Sequence, residues 1–301
     1  MIIKPKKLEK NDTVAIVSTA RKFNSEDLNK AINIFEDWGL NVKLGQNLYK
    51  WHHQFSGTDQ ERLMDIQEMI NDPQVKAIFC ARGGYGSTRI IDDIDFFKLF
   101  ESPKWISGFS DVTALICQLH NLEIESIHGI MPLLFNQEGA EESIESLRKI
   151  LFGEDIKLLV PNHPFNKPGH GSGLVIGGNL SILVNMIGTG SDVDTRGKIL
   201  FLEDLDEYLY HIDRMMIHMK RAGKLHLLAG LIVGQFSDMK DNETPFGASA
   251  YEIIKEHTEK YNYPVCYNFP LGHDTRNLAL PCTRKAFLEV TEHQVILEYD
   301  R

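Results

Sequence analysis

The sequence predicts a two-part α/β protein, with an N-terminal domain on a parallel sheet and a smaller C-terminal α/β domain with mixed strands. Three observations predict it. In the first half, short β-branched apolar runs alternate with segments of helical period, and that alternation implies right-handed crossovers and a parallel sheet. Near the middle, Val160 to Gly173 carries three prolines, three glycines and no helical period, which reads as a linker. Beyond it the alternation resumes, but the chain ends on a hairpin pattern.

The elements follow in order. "TVAIVST" is apolar and β-branched, as a buried parallel strand requires. "SEDLNKAINIFEDWG" places Leu28, Ala31, Ile32 and Phe35 on one helical face and stops at Gly39. "NVKLG" is a second strand, "DQERLMDIQEMIND" a second helix ending near Pro73, and "VKAIFCA" a third strand leading into "RGGYGSTRIIDDI". "KWISGF" and "DVTALICQLH" form the next strand and helix, "IESIHG" a fifth strand, and "EESIESLRKILFG" the last helix before the break. Residues 1–159 therefore make one domain, 160–173 a linker and 174–301 the second domain. In that second domain "GLVIGGN", "KILFLEDL", "LLAGLIVGQF" and "PVCYNFP" read as strands. "LSILVNMIGTG", "EYLYHIDRMMIHMKRAG" and "SAYEIIKEHTEKY" read as helices. "KAFLEVTEHQVILEYD" is the hairpin, with its turn near Glu292.

Composition narrows the function. The chain has 301 residues, 43% hydrophobic and 25% charged, with a net charge of −10. An acidic surface disfavours nucleic acid and anionic membrane as partners, since both need a basic face. No run approaches the ~20 apolar residues of a membrane helix, and the N-terminal apolar run is too short for a secretory signal. The four cysteines are widely spaced with no C-x-x-C pair, which reads as reduced, buried thiols in a cytoplasmic protein.

Several constellations could carry chemistry. "ARGGYGSTR" lies between a strand and an expected helix, so it could cradle an anion or oxyanion, with Arg82 available for a carboxylate; it could equally be a structural turn. Gly84-x-Gly86-x-x-Arg89 puts arginine where a dinucleotide fingerprint needs glycine or alanine, and no phosphate-loop pattern is present. Ser110, at the strand-to-helix junction of "GFSD", is either a helix N-cap or a nucleophile on a sharp turn. A nucleophilic serine needs a base and an orienter. His273 stands in the Gly/Pro-bounded loop "FPLGHDTRNLALP", and Glu203 ends the apolar strand "KILFLE", where a carboxylate is costly unless paired. No metalloprotease motif appears; His211 and His218 are seven apart on one helix and His52–His53 is an isolated pair, so no metal site is expected.

Taken together, "RGGYG", "GFSD", "IHGIMP", "IGGNLS", "LFLED" and "LGH" occur in an order that resembles the LD-carboxypeptidase family across nearly the whole chain. The resemblance implies a flavodoxin- or Rossmann-like N-terminal domain carrying the nucleophile, a C-terminal domain carrying the other two triad members, and a site formed between them. It implies a serine peptidase whose triad is Ser110, Glu203 and His273. The backbone N–H groups of Asp111 and Gly84 are then the oxyanion donors. Arg82, followed by Arg89 and Arg276, are candidates for binding the substrate carboxylate. The implied substrate is a small peptide, murein tetrapeptide, cut to release terminal D-alanine in cell-wall recycling, with no metal or organic cofactor and with a homodimer as the assembly. The alternatives are a microcin C immunity-type peptidase, which cuts an aminoacyl- or peptidyl-nucleotide amide, and a non-catalytic ligand-binding α/β protein.

Overall fold

The computed structural model of the chain describes residues 2–300. They fall into two units, one made of the chain up to Glu154 together with Leu278–Cys282, the other of Asp155–Asn277 with the chain from Thr283 on.

The first unit contains strands β1 (Thr13–Val17), β2 (Asn41–Leu44), β3 (Val75–Cys80), β4 (Trp105–Gly108) and β5 (Ser126–His128). Between and after them run helices α1 (Asn29–Asp37), α2 (Asp59–Asn71), α3 (Phe97–Glu101), α4 (Thr113–Asn121) and α5 (Glu141–Leu151). The second unit contains β6 (Lys157–Pro161), β7 (Gly169–Asn179), α6 (Leu180–Met186), β8 (Ile199–Leu205), α7 (Leu209–Arg221), β9 (Gly230–Ser237), α8 (Ala250–Thr258) and β10 (Val265–Cys266). After the excursion β11 (Leu280–Cys282), the chain returns to the second unit with β12 (Lys285–Val290) and β13 (Gln294–Tyr299).

The first sheet has the order β11-β5-β4-β3-β1-β2 and is parallel except where β11 runs antiparallel to β5. Its central strands are buried on both faces, as their unbroken apolar runs require: Val14 to Val17 and Ile78 to Cys80 have no exposed surface. Helix α2 begins at a reciprocal capping box, in which Thr58 accepts from Glu61 N–H and the Glu61 carboxylate accepts from Thr58 N–H at 2.8 Å. Pro281 lies in the edge strand, where a missing N–H costs no ladder bond.

The second sheet has the order β10-β9-β8-β7-β12-β13-β6, with its first four strands parallel and its last four antiparallel. The terminal hairpin of the sequence reading is β12 and β13. Two boundaries differ from that reading. The stretch 160–173 is not a free connection: β6 pairs with β13, putting Val160 opposite Val295, and β7 already starts at Gly169. Its glycines are sites of close approach, since a Cβ on Gly171 would lie 1.8 Å from the Ala229 carbonyl oxygen. The strand read over "PVCYNFP" stops after Cys266, because Asn268 turns the chain at φ +54°.

Candidate active site

The nucleophile candidate comes from a local conflict between strand and helix. β4 ends at Gly108, Phe109 is extended, and Ser110 then takes φ +62°, after which a 3-10 turn feeds α4. A serine N-cap holds an extended backbone, so the capping alternative fails at this residue. A β-carbon in the left-handed region costs about 1–2 kcal/mol, and this strained turn is the geometry of a nucleophile elbow. Gly108 lets the turn close: a Cβ there would meet the Val112 side chain at 2.9 Å.

The glycine loop passes directly beside this turn. A Cβ on Gly83 would lie 3.0 Å from Ser110 Cβ, 3.2 Å from Ser110 Oγ and 3.4 Å from Asp111 N. Buried polar groups hold the loop in place. The Asp111 carboxylate accepts from Gly86 N–H at 3.3 Å and Ser87 N–H at 2.8 Å. Ser87 Oγ bonds Thr19 Oγ1 at 2.8 Å, and the buried Arg62 donates to the Thr19 carbonyl at 2.6 Å. Burial pushes the Asp111 carboxyl above its ordinary value, and these N–H donors work against that shift. The α-helix expected after the loop is replaced by two short 3-10 turns, Ser87–Arg89 and Ile91–Asp93. The N–H groups that an anion at a helix start would use are those that Asp111 has taken.

The candidates for base and orienter meet in the second unit. Glu203, near the end of β8, has no exposed surface, and its Oε2 lies 2.7 Å from His273 Nδ1. Its Oε1 is buried without a hydrogen-bond partner. With Nδ1–H given to the carboxylate, the imidazole carries its lone pair on Nε2. Burial works to lower the His273 pKa, but the Glu203 charge and hydrogen bond, with Asp204 and Asp274 further off, raise it above its ordinary value. Asp204, on the next residue, accepts from Asn179 Nδ2 at 2.8 Å and Ser181 N–H at 3.0 Å. Burial and then the Glu203 charge push its carboxyl up to about 7. The "IGGNLS" and "LFLED" motifs are therefore one construction, in which Asn179 caps α6 and Asp204 ties that cap to β8.

The loop carrying His273 is clamped from β9. Gln235 Oε1 accepts from Asp274 N–H at 3.3 Å and its Nε2 donates to the Arg276 carbonyl at 3.2 Å. Gly272 N–H bonds Asn277 Oδ1 at 3.1 Å, and Ser237 Oγ donates to Asp274 Oδ1 at 2.5 Å. Neither Gln235 nor the Asp111 carboxylate was singled out from the sequence. Gln235 carried the signal used for Glu203, a polar residue near the end of an apolar strand.

The three arginine candidates separate. Arg89 holds Asp59 bidentately, with Nε 2.9 Å from both oxygens and Nη2 2.6 Å from Oδ2. Arg82 is half-buried and donates to the Lys22 carbonyl at 3.0 Å. Arg276 is exposed on the His273 loop. Arg21, absent from the sequence reading, lies across Gly84: a Cβ there would be 2.5 Å from Arg21 Cδ. Among the described residues, no three of His, Cys, Asp and Glu gather as a metal site, and no helix is long and apolar enough to cross a membrane.

Comparison with known proteins matches both halves of the chain. A family model described as the LD-carboxypeptidase N-terminal domain covers residues 14–129, and the corresponding C-terminal domain covers residues 172–288. A probable murein peptide carboxypeptidase of Bacillus subtilis is 35% identical, over 98% of this chain and 94% of its own. The crystal structure of muramoyltetrapeptide carboxypeptidase from Oxalobacter formigenes superposes with a TM-score of 0.87 at 27% identity, covering 96% of this chain and 99% of that one. An MccF-like protein from Bacillus anthracis shares the fold, with a TM-score of 0.86 at 21% identity over 99% of this chain and 100% of its own.

Proposed function

The chain belongs to the LD-carboxypeptidase family, and from that premise we propose that it is a serine carboxypeptidase that releases terminal D-alanine from murein tetrapeptide. Ser110 is the nucleophile, His273 its base and Glu203 the orienter. The observation that carries the reading is the φ of +62° at Ser110, which suits a presented nucleophile and not a cap.

In the reaction, Ser110 Oγ attacks the amide carbonyl while His273 Nε2 takes its proton. Glu203 holds Nδ1–H and stabilises the imidazolium that forms. The N–H groups of Asp111 and Gly84 receive the oxyanion, each worth about 3–4 kcal/mol in the transition state. His273 returns its proton to the leaving amine, D-alanine departs, and water attacks the acyl-enzyme by the same route. The chemistry requires no metal. Reduced thiols fit the four buried free cysteines and a cytoplasmic setting, and the net charge of −10 fits a small-molecule partner rather than nucleic acid. A homodimer completes the proposal and is checked by light scattering.

The deciding experiment incubates the protein with murein tetrapeptide and, separately, with an aminoacyl-nucleotide amide. D-Alanine release that survives chelators and falls by on the order of a million-fold in Ser110→Ala is expected. Turnover of the nucleotide amide alone would move the assignment to the immunity-type peptidase. Unchanged activity in Ser110→Ala would remove the triad.

A further inference from the structure

A carboxypeptidase must recognise a free C-terminus, and the triad has no group for that task. We propose that Arg21 reads the substrate's terminal carboxylate, with Arg82 bracing the segment that carries it. This rests on Ser110 as nucleophile and Gly84 as oxyanion donor.

Position is the first argument. The site a Cβ would take on Gly84 lies 2.5 Å from Arg21 Cδ and 2.9 Å from its Nε. One residue earlier, the corresponding site on Gly83 is 3.2 Å from Ser110 Oγ. Nucleophile and guanidinium therefore flank two successive glycines, whose Cα atoms are ~3.8 Å apart. In a C-terminal residue the carboxylate carbon is three bonds from the scissile carbonyl carbon, a span of roughly 3–4 Å. Groups beside adjacent residues of one loop are thus placed to meet adjacent groups of one substrate residue, the scissile carbonyl and the terminal carboxylate.

Availability is the second argument. Arg89 is neutralised by Asp59, and the buried Arg62 is committed to Thr19 and Asp59. Arg21 is exposed, and among the described residues neither it nor Arg82 forms an ion pair. Arg82 gives Nη1 to the carbonyl of Lys22, next in sequence to Arg21, which fixes that segment to the glycine loop. Burial, and then the charge of Arg21, hold the Arg82 guanidinium below its ordinary value. Asp27 acts on Arg82 in the opposite sense, but its carboxylate accepts from Asn24 N–H at 3.0 Å. Two guanidiniums without a paired acid, in a chain of net charge −10, are a local anion site. An amidated C-terminus would leave Arg21 facing a neutral group, and that mismatch rejects internal peptide bonds.

The test uses the full chain and two probes, murein tetrapeptide and the same peptide with a C-terminal carboxamide. Arg21→Gln should raise KM for the acid about 10- to 100-fold, the loss of one charge-assisted contact. It should leave kcat within about threefold and the amide unaffected. Arg21→Lys should restore part of the preference for the acid. A wild-type acid-to-amide ratio in Arg21→Gln, or a loss confined to kcat, overturns the proposal. Calorimetric binding of both probes to Ser110→Ala, with and without Arg21→Gln, needs no turnover. If the wild-type protein releases no D-alanine but Arg21 still governs acid binding, the reaction assignment fails and the carboxylate site stands. If acid and amide bind alike in both variants, the carboxylate site fails.

Discussion

At the scale of single residues, the site depends on two small departures from ordinary chemistry. Glu203 is a fully buried carboxylate whose hydrogen bond at 2.7 Å goes to His273. In the proposed mechanism the histidine must be neutral to accept a proton, and its pKa is raised, so activity is expected to be lost as pH falls through a value above the ordinary 6.5. Glu203→Gln removes the charge that raises it. The acid limb of kcat/KM should then move to lower pH while kcat drops by about 10⁴. A pH–rate profile with an unmoved limb would separate Glu203 from the base. Gly83 is the second departure. Its φ is not among the left-handed ones, so alanine is tolerated by the backbone, yet the new methyl would sit 3.2 Å from Ser110 Oγ. Gly83→Ala should cut kcat about 10- to 100-fold, the cost of misplacing a reacting group. Its thermal midpoint should stay near that of the wild type, which calorimetry measures.

At the scale of elements, the proposed nucleophile and orienter lie at the ends of β4 and β8, the proposed base lies on the loop after β10, and neighbouring side chains hold these segments. Asp111 holds the glycine loop and Asp204 and Asn179 join α6 to β8, while Gln235 on β9 bonds the Leu271 carbonyl before the histidine through its backbone N–H and Asp274 and Arg276 after it through its side chain. Loops tied at both flanks keep a base in one orientation and lose little entropy when substrate arrives. Gln235→Leu removes the acceptor for Asp274 N–H and the donor to the Arg276 carbonyl while preserving bulk. Its kcat should fall about 10- to 100-fold with KM little changed. Gln235→Glu keeps the acceptor alone and should recover part of the loss. Equal kcat in all three proteins, measured by D-alanine release, would make the clamp merely structural.

At the scale of the whole molecule, the order of the chain and the order of the units differ. β11 comes after most of the second unit has been made, yet it is the edge strand of the first sheet, with Leu280 and Cys282 fully buried. A chain ending at Glu154 would leave the β5 edge and the surface under Leu280 open. Such edges promote association between chains. That fragment is expected to aggregate on size exclusion; a monodisperse fragment with cooperative unfolding would show that β11 is dispensable.

Periodicity alone was enough for the alternating α/β pattern, the parallel N-terminal sheet and the terminal hairpin, because buried central strands and amphipathic helices write their burial into adjacent residues. Ser110, Glu203 and His273 were named from the order of six short motifs, since each motif marks a strand end or tight turn that local chemistry constrains. What stayed hidden depends on residues distant in sequence. The Asp111 carboxylate bonds residues 24 and 25 positions earlier, the Gln235 clamp reaches residues 39 and 41 positions later, and Arg21 lies across a glycine 63 positions on. β11 and the true ends of the supposed linker were hidden for the same reason. A strand's partner is decided by which edge is open when the sheet assembles, and no local window of sequence records that.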